Sequence, residues 1–281
     1  MTSSAVQTFF ADLPHGIRLS CRACGPEGAP SLVFLHGFPE AAFVWDEVMQ
    51  SLAGRFRCVA PNLRGYERSS RPTQVEAYRA KHLVQDLAAL IGSLGAPAAA
   101  LVAHDWGGAV AWNLAVQQPQ LIGRLAIVNS PHPATFLREL QHNPAQQAAS
   151  AYMNFLCRPD AEALLAEDDY ARLWPFLTGM NGAPWLTEAL RQQYRAVWGA
   201  GLTGPLNYYR ASPMRPPTPD DPAAMKLQFS PEQVTVHVPT LVLWGEADRV
   251  FHASGAHTLQ RHLPGADVQV LGGLGHLPMM E

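Results

Sequence analysis

The sequence predicts an α/β fold built on a mostly parallel sheet, and three observations carry that expectation. Short β-rich runs alternate with helical stretches along much of the 281 residues, the order that strand–helix–strand units produce. From Ser31 onward several runs are continuously apolar instead of alternating, as strands buried on both faces require. Hydrophobic residues make up 48 % and charged residues only 15 %, a composition that supports a large core and excludes disorder.

In chain order, strands are expected at 7–10, 17–22, 31–35, 56–60, 98–103, 125–128, 240–244 and 268–271. Helices are expected between them at 42–53, 78–94, 107–118 and 254–262. The alternation breaks between about 133 and 215, where helical patterns run at 144–157, 160–174 and 186–198. Eleven of the 25 aromatic residues lie in this stretch, and it closes on a proline-rich linker at 212–219. The expected organisation is a core at 1–132, a helical cap at 133–215 and the rest of the core at 216–281. Apolar pockets are commonly lined by aromatic side chains, so the cap is a candidate lid.

Lys plus Arg number 20 against 23 Asp plus Glu, a net charge of −3, which gives no electrostatic case for nucleic acid or an anionic membrane. No apolar run approaches the roughly 18 residues of a membrane span. The first residues lack the basic start and apolar core of a signal peptide. A cytoplasmic protein is expected. Cysteines stand at 21, 24, 58 and 157. The Cys21-Arg22-Ala23-Cys24 pair lies in a strand-like run with no second ligand pair at zinc spacing, so incidental thiols and no metal are expected.

Ala103-His104-Asp105-Trp106-Gly107-Gly108 ends an apolar strand and opens a helix. Small residues flanking the central position make this a nucleophile-elbow pattern, with aspartate where serine is common. A carboxylate attacks saturated carbon, displacing halide or opening an epoxide, and leaves a covalent ester. The bland reading of Asp105 is a helix cap. His36-Gly37-Phe38-Pro39 follows the strand at 31–35, where such folds place one oxyanion donor, the other being the residue after the nucleophile. Phe38 and Trp106 are the expected donors. Beyond the strand at 240–244 comes Gly245-Glu246-Ala247-Asp248, and beyond the last strand Gly272-Gly273-Leu274-Gly275-His276. Nucleophile, acid, histidine is the triad order of this pattern, with Asp248 preferred to Glu246 as the acid.

Carried by His36 to Glu40, Arg64-Gly65-Tyr66, His104 to Gly108, Gly245 to Asp248 and Gly275-His276, the chain resembles the α/β-hydrolase superfamily and, within it, the epoxide hydrolases. The resemblance implies a mostly parallel eight-stranded sheet flanked by helices, with a helical lid. It also implies hydrolysis of an epoxide to a vicinal diol without metal or organic cofactor. The expected partners are a small apolar epoxide and water. Two lid tyrosines assist ring opening in that family, and Tyr152 and Tyr209 stand in segments similar to theirs. His36, Pro39 and Trp106 are the expected substrate contacts. Most of these motifs are shared with hydrolytic dehalogenases, the alternative activity; a non-catalytic ligand-binding relative is the alternative of a different class. Glu67 departs from the glycine usual after Arg-Gly-Tyr, Trp106 argues against a fluoroacetate-type substrate, and five residues follow His276 where the family has a helix.

Overall fold

The computed structural model describes residues 5–178, 183–251, 259 and 262–281. Its strands are β1 (Gln7–Asp12), β2 (Arg18–Cys24), β3 (Ser31–Leu35), β4 (Arg57–Pro61), β5 (Ala100–His104), β6 (Leu125–Val128), β7 (Thr240–Gly245) and β8 (Asp267–Leu271). They form one sheet in the order β1-β2-β4-β3-β5-β6-β7-β8. β1 pairs antiparallel with β2 and β2 with β4, and every later pair is parallel. β3 is buried at every position, which is why its sequence, Ser-Leu-Val-Phe-Leu, shows no alternation.

Helices α1 (Asp46–Leu52), α2 (Ala80–Ser93) and α3 (Asp105–Gln117) follow β3, β4 and β5. Between β6 and β7 run α4 (Pro133–His142), α5 (Pro144–Ala149), α6 (Tyr152–Leu156), α7 (Ala161–Tyr170), α8 (Trp174–Thr178), α9 (Glu188–Gly199), α10 (Thr203–Ala211) and α11 (Ala223–Lys226). α4 and α10 arise where no helix was expected. The helix expected at 160–174 is broken, because Asp168, Asp169 and Tyr170 hold left-handed φ of 50°, 55° and 61°. Arg195 pairs with the Asp169 carboxylate at 2.7 Å, and Trp174 Nε1 donates to the Asp169 carbonyl at 2.9 Å. The helix expected at 254–262 lies almost wholly outside the described residues. No described helix is long and apolar enough to cross a membrane.

The main core gathers β3–β7 with α1–α3 and the helices that follow β6, through Phe34, Trp45, Trp112, Trp244 and Tyr208 among others. A smaller cluster of Leu13, Leu19, Cys21, Ala23, Val59 and Leu90 closes the other face of the β1-β2-β4 end. Cys21 and Cys24 are three residues apart on β2 and therefore point to opposite faces: Cys21 joins the small cluster and Cys24 the large one. All four thiols are free.

Candidate active site

Asp105 is the first residue of α3, directly after β5, and takes φ 47°. A left-handed aspartate at a strand-to-helix junction costs energy that its surroundings must supply. They do so by close approach. A Cβ on Gly107 would lie closer than 3.0 Å to the His36 carbonyl, and one on Gly108 would meet the Ser130 side chain as closely. Ser130 Oγ donates to the Asp105 carbonyl at 2.7 Å. The Phe38 amide donates to Asp105 Oδ1 at 2.8 Å. Trp106, second in α3, has one of the first-turn amides that no helical carbonyl can reach.

His276 completes the arrangement from the loop after β8. Its Nδ1 lies 3.0 Å from Asp248 Oδ2, and its Nε2 lies 3.9 Å from Asp105 Oδ2. Asp248, just beyond β7, is buried; it accepts from the Val250 and Phe251 amides at 2.7 and 3.1 Å and from Asn129 Nδ2 at 2.6 Å. Glu246 is exposed and its carboxylate turns to the Gly273 amide, so Asp248 is the acid that meets the ring. Burial opposes charge on both partners. For Asp248 the His276 ring and these donors outweigh it and lower the pKa. For His276 the Asp248 charge, followed by Asp105 and Glu40, outweighs it and raises the pKa to about 9.

Opposite Asp105 stand two phenols. Tyr152 opens α6 and Tyr209 lies near the end of α10, their ring centroids 6.1 Å apart. Tyr209 also packs edge-on against Phe38 at 5.2 Å and Trp106 at 5.1 Å. Burial pushes both phenols well above the ordinary tyrosine value, and the Asp105 carboxylate adds to the rise in each. α10 is seated on the loop after β4. The Tyr208 hydroxyl donates to the Arg64 carbonyl at 2.8 Å, and Gly65 and Gly204 touch so closely that a Cβ on either would fall within 3.0 Å of the other.

A family model of the α/β hydrolase fold matches residues 30–281. The chain is 34 % identical over 242 residues to epoxide hydrolase 4 of Mus musculus, covering 83 % of this chain and 64 % of that protein. It is 33 % identical over 268 residues to epoxide hydrolase 3 of the same species, covering 93 % of this chain and 69 % of that one. The chain belongs to the epoxide hydrolase family of α/β hydrolases. The solved Bacillus megaterium epoxide hydrolase, in complex with an inhibitor, superposes with a TM-score of 0.86 at 29 % identity, over 97 % of this chain and 94 % of that one. The chain spans a little under two thirds of the length of the first of these relatives.

The expected site residues do not all meet in one space. A cavity of about 280 Å³ opens on Asp105 and Trp106. His36 is wholly buried below the turn, its Nε2 accepting from the Leu63 amide at 3.1 Å and its Nδ1 lying 2.9 Å from the Gly37 carbonyl. Burial lowers its pKa to about 4. Pro39 offers its carbonyl to Trp198 Nε1 at 2.7 Å. Both therefore shape the turn instead of lining the cavity. Glu67 takes the φ of 49° that a glycine would favour there, and its carboxylate accepts from Asn62 Nδ2 at 3.0 Å and from the Arg68 amide at 2.9 Å.

Several residues of the site escaped the sequence reading. Asn129 grips Asp248 and also accepts from the Gly245 amide at 3.1 Å. His104 Nε2 donates to the His276 carbonyl at 2.8 Å while its Nδ1 meets Glu40 Oε2 at 2.9 Å, in a fully buried pair. Polar residues directly after a buried strand, such as Asn129-Ser130 after β6, were the available signal, since the carboxyl ends of parallel strands face the ligand crevice.

Proposed function

We propose that the chain hydrolyses an apolar epoxide to a vicinal diol, with Asp105 as nucleophile, Asp248 and His276 as its partners, and residues 133–215 as a cap between core segments 1–132 and 216–281. The observation that carries this reading is a pair of phenols, Tyr209 buried and Tyr152 half-buried, facing one carboxylate. A halide leaves as a weak base, whereas an epoxide oxygen leaves as a strongly basic alkoxide that needs a donor. Phenols held above their ordinary pKa stay protonated at neutral pH and can supply it.

The first half-reaction follows from which carboxylate oxygen is free. Phe38 already holds Oδ1, so Oδ2 attacks a ring carbon. The carbon–oxygen bond of the epoxide breaks, and Tyr152 and Tyr209 stabilise and protonate the oxygen that leaves. The product is an ester on Asp105. In the second half-reaction His276 Nε2 takes a proton from water, and the resulting hydroxide attacks the ester carbonyl. The amides of Phe38 and Trp106 hold the tetrahedral oxyanion. Collapse breaks the bond between the carbonyl carbon and the substrate oxygen, the second proton of that water passes to the leaving alkoxide, and the diol departs with the oxygen of water left in the carboxylate.

The charge on His276 changes between these steps. With Asp105 ionised, the ring binds a proton up to about pH 9. Alkylation turns that carboxylate into a neutral ester and removes one of the charges holding the proton. The ring pKa falls, its proton passes to the phenolate that ring opening left behind, and the imidazole becomes a base at the stage that needs one. Four free thiols suit a reducing compartment such as the cytoplasm.

Mass spectrometry of a His276→Gln protein after addition of an epoxide tests the scheme. An adduct is expected on the peptide carrying Asp105. An unmodified Asp105, together with turnover in Asp105→Ala, would overturn it.

A further inference from the structure

The cavity that opens on Asp105 continues along α3 to the last turn of that helix. Trp106, Ala109, Asn113 and Val116 all stand in its wall. Their steps of three, four and three residues are the spacing of one helix face. Between Trp106 and Val116 these four are also the only α3 residues that are not buried, so the accessible stripe of the helix is the stripe that lines the cavity. At about 1.5 Å per residue, Val116 lies roughly 16 Å along the helix from Asp105. The remaining walls are largely apolar, with Leu83, Phe136, Met153, Met214 and Phe229 among them. The one amide of the stripe, Asn113, donates from Nδ2 to the Ala109 carbonyl at 2.8 Å, which commits that donor to the backbone. Among the described residues of the wall there is no lysine or arginine, and Asp105 is the only carboxylate. His132 lines it too, but burial lowers its pKa to about 4, so its ring is neutral near pH 7.

On the reading that Asp105 opens epoxides, we infer that the substrate carries an unbranched, uncharged tail lying along α3, with Ala109, Asn113 and Val116 as specificity residues that set its length. With bonds of about 1.5 Å at near-tetrahedral angles, an extended chain advances about 1.25 Å per carbon. Ala109 then stands level with about the fifth carbon from the ring, Asn113 with about the tenth and Val116 with about the thirteenth. The favoured class is epoxides with an alkyl tail of about ten carbons, not short ones. A carboxylate ending such a tail inside the cavity loses its hydration with no cation to meet it. An acid-ended tail therefore has to be long enough to pass Val116, beyond which Gln117 is exposed.

The test uses the full chain and a series of terminal epoxyalkanes of increasing tail length, each below its solubility limit, with diol formation read as kcat/KM. The value is expected to rise about twofold or more per carbon, as burial of each methylene provides, and to go on rising beyond a tail of roughly eight carbons. A rise that ends at or before that length overturns the inference. In Ala109→Phe, which puts a ring into the cavity about one turn from the nucleophile, the rise is expected to end near the fifth carbon. A rise that runs as far in this variant as in the wild type places the tail elsewhere and also overturns the inference. The wild-type series alone decides the matter if the variant does not fold. Equal kcat/KM at every length defeats the path along α3 and leaves epoxide hydrolysis standing. Diol from no member of the series defeats both.

Discussion

Asp105 keeps a backbone angle that an ordinary residue adopts at a cost of about 1–2 kcal/mol, and its small neighbours make room for it. Gly108→Ala pushes a methyl into the Ser130 side chain, which itself holds the Asp105 carbonyl. Overpacking of this kind costs about 1–3 kcal/mol, and activity is expected to fall further than stability; chemical denaturation and turnover on one sample check both. The histidine makes a prediction of its own. In the resting protein its pKa is raised from 6.5 to about 9, so its protonated form stabilises the fold fully below pH 6.5 and that contribution is lost as pH rises through 9. Relative to His276→Gln, the wild type is expected to lose stability across that window in urea titrations. In the alkylated protein the controlling pKa lies lower. Single-turnover decay of the ester is expected to speed up with pH and level off below about pH 9, and a midpoint at or above 9 would contradict the loss of charge on Asp105.

At the level of elements, α10 matters because it delivers Tyr209 and is held from below by Gly65 and by the Arg64 carbonyl, to which its own Tyr208 donates. Gly204→Val wedges the helix off that loop. The expected result is slower alkylation with ester hydrolysis little changed, since His276 lies on a different element; rapid-quench measurement of the two phases separates them. The single change Tyr209→Phe is expected to slow alkylation about 10- to 100-fold, or roughly 1.4–2.7 kcal/mol in the barrier, because Tyr152 still supplies one donor. The Asn129→Ala change acts on the other phase. It frees one side of Asp248 and is expected to slow ester decay, with alkylation spared. The strands were legible to within two residues because continuous apolar runs bounded by glycine or proline leave few alternatives. α10 was not, because its Gly204-Pro205 start reads as a turn and its buried face is polar and aromatic: Asn207, Tyr208 and Tyr209. The break at Asp168–Tyr170 was equally hidden, since the Arg195 contact that holds it lies 26 residues away in sequence and the local Trp174 contact leaves no periodic trace.

Across the whole molecule, one buried ion pair joins parts far apart in the chain. Arg64 donates to both oxygens of Asp86 on α2, at 2.7 and 2.6 Å, while His15 from the β1–β2 turn meets the same carboxylate at 2.6 Å. Asp86→Ala strands a guanidinium that is only 5 % exposed and is expected to cost about 3–5 kcal/mol, seen as a lower unfolding midpoint. That Asp105, Asp248 and His276 meet in space was legible because each follows an expected strand in a fixed order; the groups that hold them were not, because Asn129, His104 and Ser130 act only once strands distant in sequence lie side by side. That adjacency has a further consequence at the seam between β6 and β7. The two strands are hydrogen-bonded neighbours, with Leu125 opposite Thr240 and Val128 opposite Leu243, so everything between them departs and returns at one place. Helices in that excursion can be lengthened, trimmed or grafted from a relative without altering a single strand register, which lets the choice of substrate drift over evolutionary time while the sheet beneath stays unchanged.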